Sequence, residues 1–214
     1  PPPPPPPPPP LFPAPPPPHT NTMVSSSAAS DVYKRQTRSR FKQLLELAPV
    51  FRPAAVVCHA GYDWKRYGSF RDEWIESSLD TWSWLAGSLV EHGSRLMLEN
   101  VYEDDPQDIR IILEGLKSQN VGFCLDAGHL CAFGQAELKP WLEGLGPYIG
   151  QLHLHDNHGR GDDHLPMGQG KIDFKLLFAH LISNDLPRPI ITLEPHREED
   201  LWPSLDYLAN LWPW

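Results

Sequence analysis

Residues Tyr148–Asp156 read YIGQLHLHD. An apolar run of strand length turns polar at its C-terminal end, where it presents His153 and His155. A strand with a nearly continuous apolar run is one buried on both faces, as in a parallel sheet covered by helices. The loop that follows is denser in polar groups. His153–Gly170 reads HLHDNHGRGDDHLPMGQG, with four histidines and three aspartates in eighteen residues, closing on Gly-x-Gly. A solvated loop has no need of so many metal-capable side chains, so the pattern points to a shared centre.

Working outward, four more segments have the same character: AAVVCHAG (Ala54–Gly61), RLMLEN (Arg95–Asn100), VGFCLD (Val121–Asp126) and PIITLE (Pro189–Glu194). Helical spacing covers Thr37–Ala48, Ser69–Gly93 with Ser69 as its cap, Pro106–Lys117 with Pro106 in the first turn, Leu138–Leu145, Phe174–Ser183 and Glu198–Leu211. The order is one helix followed by five strand–helix units, which predicts an α/β fold with a parallel sheet. No Gly-x-Gly-x-x-Gly follows a strand, which argues against a dinucleotide-binding sheet.

The strand ends carry the chemistry. They deliver His59, Glu99, Asp126 (with His129 three residues on), His153 with His155, and Glu194. One carboxylate at a strand end is more often a cap or an ion-pair partner. Five consecutive ends bearing His, Asp or Glu point to a divalent-metal site at the C-terminal face of a parallel barrel, where such folds build their active sites. A cation also compensates carboxylates that would be costly to bury unpaired.

The N-terminal part reads differently. Pro1–Pro18 is almost pure proline, which forms extended chain without a core, and over half of the 26 prolines lie in the first 36 residues. SSSAASDVYKRQ (Ser25–Gln36) lacks a hydrophobic period and reads as translated adapter sequence. Residues 1–36 are therefore set aside as non-native and expected to be disordered, a native proline-rich linker being the alternative. Residues 37–214 are expected to fold. The three cysteines form no CxxC pair, which implies reduced thiols and a cytoplasmic setting. Cys124 and Cys131, flanking Asp126, read as packing residues. With a net charge of −9 and no basic cluster, the chain lacks the footprint that non-specific nucleic-acid binding needs. No run reaches the ~18–20 apolar residues of a membrane span.

LMLENV, CLDAGH, QLHLHDN, DDHLPMGQG and TLEPH, in this order, resemble the xylose isomerase-like barrel superfamily. That superfamily holds sugar isomerases, sugar and sugar-phosphate epimerases, and zinc-dependent endonucleases acting at abasic sites. The likeness runs from about Phe51 to the C-terminus. It implies a partial (β/α)8 barrel, the last five strand–helix units, with three earlier strands missing from an N-terminally truncated chain. From the epimerase branch it implies one divalent metal (Mn, Mg, Co or Zn) on Glu99, Asp126, His153 and Glu194. The two glutamates then move the substrate's proton through an enediolate, and His129 contacts substrate. From the endonuclease branch it extends the metal set to His59, His129, Asp162 and His164. His155, Asp156 and His158 are expected behind the ligands or in solvent. Arg160 is a candidate for a substrate oxygen or phosphate, and Trp64 and Tyr62 for lining the pocket. Trp74, Trp82 and Trp84 read as packing, Gly168 and Gly170 as turn geometry.

Three functions follow as expectations. The first is a metal-dependent sugar or sugar-phosphate isomerase/epimerase with a small carbohydrate substrate; the oligomeric state stays open. The second is a multi-zinc phosphodiester hydrolase. The third is an inactive fragment of such an enzyme.

Overall fold

The computed structural model describes residues 26–116, 120–134, 136–212 and 214. The chain divides into two units, Pro1–Arg40 and Phe41–Trp214. Of the first, residues 26–40 are described and are helical, contributing to α1 (Ser26–Phe51). This helix begins inside the segment set aside on sequence and extends past Thr37–Ala48 at both ends. Residues 1–25, including the proline tract, lie outside the described residues.

The second unit is an α/β half barrel. Strands β1 (Ala55–His59), β2 (Arg95–Glu99), β3 (Val121–Asp126), β4 (Ile149–Leu154) and β5 (Ile190–Leu193) form one sheet in sequential order. Every pairing is parallel. The connections carry α2 (Trp64–Tyr67), α3 (Arg71–Val90), α4 (Gln107–Leu116), α5 (Ala127–His129), α6 (Leu138–Leu145) and α7 (Phe174–Ser183), and α8 (Leu201–Leu211) follows β5. Among the described residues, β1 and β5 each pair on one side only.

The helices form because their apolar residues recur at 3–4-residue spacing. In α4 these are Ile109, Ile112 and Leu113, all buried, while Asp108 in the first turn complements the helix dipole and takes a 2.7 Å hydrogen bond from Arg71 Nε. One expected boundary needs correction. Helix α3 starts at Arg71, because Gly68–Phe70 is a separate 3-10 turn, and Ser69 does not cap it. Lys117, placed in α4 on sequence, lies outside the described residues.

Strand alternation sorts the chemistry. On β2, β3 and β4, one set of residues (Leu96, Leu98, Phe123, Leu125, Leu152, Leu154) packs into the core with Leu85, Leu89, Trp141, Leu145, Phe174 and Leu181 from the helices. Full burial of each such side chain contributes about 1.5–3 kcal/mol. The alternate set is Met97 and Glu99, Cys124 and Asp126, Gln151 and His153. It faces the other way, toward what a closed barrel makes its interior. Register places His59 beside Glu99, Asp126 beside His153, and His153 beside Thr192. Polar side chains from separate strands are thereby stacked at one end.

Candidate metal centre

Glu99 ends β2 and is 4 % exposed; Asp126 ends β3 and is fully buried. Asn100 fixes the strand end between them. Its Oδ1 accepts from Asp126 N–H at 3.0 Å, and its amide donates to Asp126 O at 2.8 Å. From β4, His153 Nδ1 lies 3.1 Å from Glu99 Oε1 and 2.9 Å from Glu194 Oε1. Two carboxylates thus converge on one imidazole nitrogen, and Glu99, Asp126 and His153 bring ligand-type atoms within 4.8 Å of one another. His59, more exposed, completes the rim with Nε2 3.5 Å from Glu99 Oε2.

A second set lies beside the first: His129, His155, Asp162 and His164, again within 4.8 Å. His129 Nδ1 faces the Asn100 carbonyl at 3.0 Å, and His164 Nδ1 faces the Glu194 carbonyl at 2.7 Å. A carbonyl only accepts, so both rings carry a proton on Nδ1, which leaves Nε2 as the atom that would face a cation. Those two Nε2 atoms lie 3.6 and 3.1 Å from Asp162 Oδ2. His164 has φ of 47°, in the left-handed region that a non-glycine residue adopts at a cost, and its hydrogen bond to Glu194 holds it there.

The loop between His153 and Gly170 is organised by Asp156. Its fully buried carboxylate accepts from Asn157 N–H (2.9 Å), Gly168 N–H (3.0 Å) and Ile172 N–H (3.1 Å). Its backbone bridges Leu165 in both directions. That fold-back returns Asp162 and His164 to the strand ends. Gly168 has φ of 84°, and a Cβ at Gly170 would strike Asn157 and the Asp156 carboxylate, so both glycines serve turn geometry.

These residues fit a divalent cation. Among the described residues, the ion-pair partners of Glu99, Asp126, Asp162 and Glu194 are all histidines. Asp162 Oδ1 is buried without a hydrogen-bond partner, and such groups are rare unless an ion or water serves them. Mixed imidazole and carboxylate donors from rigid elements suit Zn, Mn or Co.

The histidines and carboxylates shift one another's protonation. Burial pulls His129 down, but Asp162, Asp126, the Asn100 carbonyl and Glu99 outweigh it and raise it to about 9. Burial likewise opposes, and contacts with Cys124, Glu194 and Glu99 push His153 up to about 12. Burial raises Asp162, yet His129, His164 and His155 bring it down to about 2. Burial pushes the thiols of Cys58 and Cys124 up to about 12, so neither is a thiolate at neutral pH, in line with packing roles.

The sign of the resulting pH dependence is fixed. A raised His129 stabilises the fold fully below about 6.5, and that contribution fades as pH climbs through about 9. A lowered Asp162 stabilises fully above about 3.8, fading as pH falls through about 2. Chelator-treated protein is therefore expected to show its highest melting midpoint between about pH 4 and 6.5. Added zinc must displace these protons, so its stabilising increment should grow from about pH 6.5 to about pH 9. Thermal melts with chelator and with zinc check both trends; a chelated midpoint that rises above about pH 7 contradicts this assignment.

The other expected positions divide. Trp64 is 51 % exposed and lines a cleft of about 520 Å³ with Tyr102 and Phe133, and Phe133 lies 5.7 Å from the His129 ring. Tyr62 does not line it: the ring is buried against Trp74, and its N–H donates to Glu103 Oε1 at 2.9 Å. Trp82 is buried, and Trp74 and Trp84 pack against the core. Arg160 and His158 are exposed on the loop. Sequence reading missed Glu103, a buried carboxylate joining the loops after β1 and β2, and His196, stacked on His164 at 3.6 Å.

A family model described as xylose isomerase-like TIM barrel matches residues 16–211. The uncharacterized protein MJ1311 of Methanocaldococcus jannaschii is 31 % identical over 126 residues, 56 % of this chain and 43 % of that protein. The chain spans about half the length of the curated relatives it matches. Among solved structures, a Thermus thermophilus protein, TTHB071, soaked with ZnCl2, matches with a TM-score of 0.70 at 26 % identity, over 89 % of this chain and 72 % of that one. A D-tagatose 3-epimerase-like protein matches with a TM-score of 0.70 at 22 % identity, over 88 % of this chain and 71 % of that one, a likeness of fold. Among the described residues, no helix is long and apolar enough to cross a membrane.

Proposed function

The chain belongs to the xylose isomerase-like TIM barrel family, and from that premise we propose that its parent protein is a divalent-metal-dependent sugar or sugar-phosphate isomerase/epimerase. The observation that carries this is the approach of Glu99 and Glu194 to the same His153 nitrogen, at 3.1 and 2.9 Å, beside Asp126. Glu99, Asp126, His153 and Glu194 would hold the metal. When bound, it supplies Lewis acidity that polarises a carbonyl and its neighbouring hydroxyl.

The chain's own residues do the proton transfer. One glutamate carboxylate takes the proton from the carbon beside the substrate carbonyl, leaving an enediolate; the other glutamate returns a proton to the opposite face. His129 binds a substrate oxygen, and the Trp64 cleft receives the rest of a small carbohydrate. We take residues 37–214 as the barrel portion, and reduced thiols fit a cytoplasmic setting.

Incubating the metal-loaded protein with ketoses in deuterated water tests this reading. Deuterium should appear at the carbon next to the carbonyl, with the epimer formed in parallel. A second reading, a multi-zinc phosphodiester hydrolase, is favoured by the His129, Asp162 and His164 set, in which both rings turn Nε2 toward Asp162. Cleavage of bis(p-nitrophenyl) phosphate without any deuterium uptake would select it instead.

A further inference from the structure

We propose that His155 is a positioning residue that aims the Asp126 carboxylate into the metal centre and backs the His164 ring, without ligating the ion itself. This rests on the metal-dependent reading above. His155 is 1 % exposed, and its Nε2 lies 3.2 Å from Asp126 Oδ1 and 3.3 Å from Oδ2. An imidazole N–H there fixes the carboxylate's rotation. Its other nitrogen, Nδ1, is buried without a partner, so the Asp126 contact is what orients the ring.

Ring geometry rules out a centre in which His155 joins His129, Asp162 and His164 around one ion; ligand-type atoms of His155, Asp126 and Glu194 also lie within 4.8 Å of one another, and the zinc stoichiometry of His155→Gln tests that grouping. His155 and His164 are stacked, with centroids 3.7 Å apart and planes 4° from parallel. An imidazole lone pair lies in the ring plane, so a ligated ion must lie in that plane too. Two stacked parallel planes share no such point. His164 Nε2 already faces Asp162, whereas His155 Nε2 faces Asp126. The single ring of His155 therefore touches one ligand of each set and couples their geometry.

Gly128 supports this independently. It lies in the Asp-x-Gly-His stretch between Asp126 and His129, and a Cβ there would fall on the His155 imidazole. The glycine is what admits the ring to its place behind Asp126.

The test uses chelator-stripped protein, zinc titrated against a chromophoric competitor, and the cobalt visible spectrum. His155→Ala is expected to weaken the tightest zinc by about 10–100-fold, the usual effect of losing a partner behind a ligand, and to shift the cobalt bands. His155→Gln, whose amide N–H can still reach Asp126, should restore most of the affinity. His155→Phe keeps the stack but not the N–H, and should behave like Ala. Gly128→Ala, with every ligand intact, should repeat the loss. Where His155→Ala does not fold by circular dichroism, the Phe and Gly128 variants carry the comparison. Unchanged affinity and spectrum in Ala and Phe overturn the proposal, as does loss of a whole zinc equivalent in Gln, which would make His155 a ligand. Wild-type protein that binds no zinc removes the metal-dependent reading and this inference together.

Discussion

Glu99→Gln is expected to lower turnover by about 10²–10⁴-fold, the usual range for a general acid or base, while the fold survives. The side chain sits at the end of β2 with Oε1 3.1 Å from His153 and 3.4 Å from His129, and Oε2 3.5 Å from His59. Glutamine fills the same space and keeps one oxygen. It cannot take a proton from carbon, and it is a poorer partner for a cation than a carboxylate. Two functions are removed by one isosteric change, so the effect should exceed that of any rim residue such as His59. Deuterium uptake into a ketose, followed on protein with an unchanged far-ultraviolet spectrum, reads the loss. A rate within about tenfold of wild type, well short of the general acid–base range, would take Glu99 out of the reaction.

Asp156→Ala should have the largest effect on stability, about 3 kcal/mol or more. Three backbone N–H groups converge on this fully buried carboxylate, and hydrogen bonds to a charged group are worth about 1.5–3 kcal/mol each. Alanine leaves those donors with no acceptor. It also releases the fold-back that returns Asp162 and His164, so the second ligand set should fail before the first. Urea denaturation measures the loss, and zinc stoichiometry measures the selectivity. Asp156→Asn, which keeps an acceptor oxygen, should fall between the alanine variant and wild type. Wild-type stability in the alanine variant would mean that the loop is held by its backbone bridge alone.

The strand ends were legible in the sequence because an apolar run closed by His, Asp or Glu is a local pattern. Strand β3 and helices α6 and α7 match their expected limits, since periodicity marks both ends. Helix α3 was misplaced at its start because a hydroxyl before an apolar period looks like a cap, whereas Gly68–Phe70 turns separately. The site's supporting contacts were less visible for a different reason. Glu103 meets Tyr62 across 41 positions of chain, and His155 meets Asp126 across 29. No local spacing encodes such pairs; the parallel register creates them. Likewise, sequence left Asp156 either behind the ligands or in solvent, and only its three N–H partners place it beneath the loop.

That Glu99, Asp126, His153 and Glu194 hold one functional divalent cation is tested most directly by elemental analysis of the purified full reading frame, with Glu99→Gln and His164→Ala in parallel. The expected result is about one tightly bound manganese, magnesium, cobalt or zinc per chain, lost in Glu99→Gln and retained in His164→Ala. Two or three zincs, reduced by His164→Ala, would transfer the chemistry to the phosphodiester reading. Protein that holds no metal after reconstitution would contradict the metal-dependent account altogether.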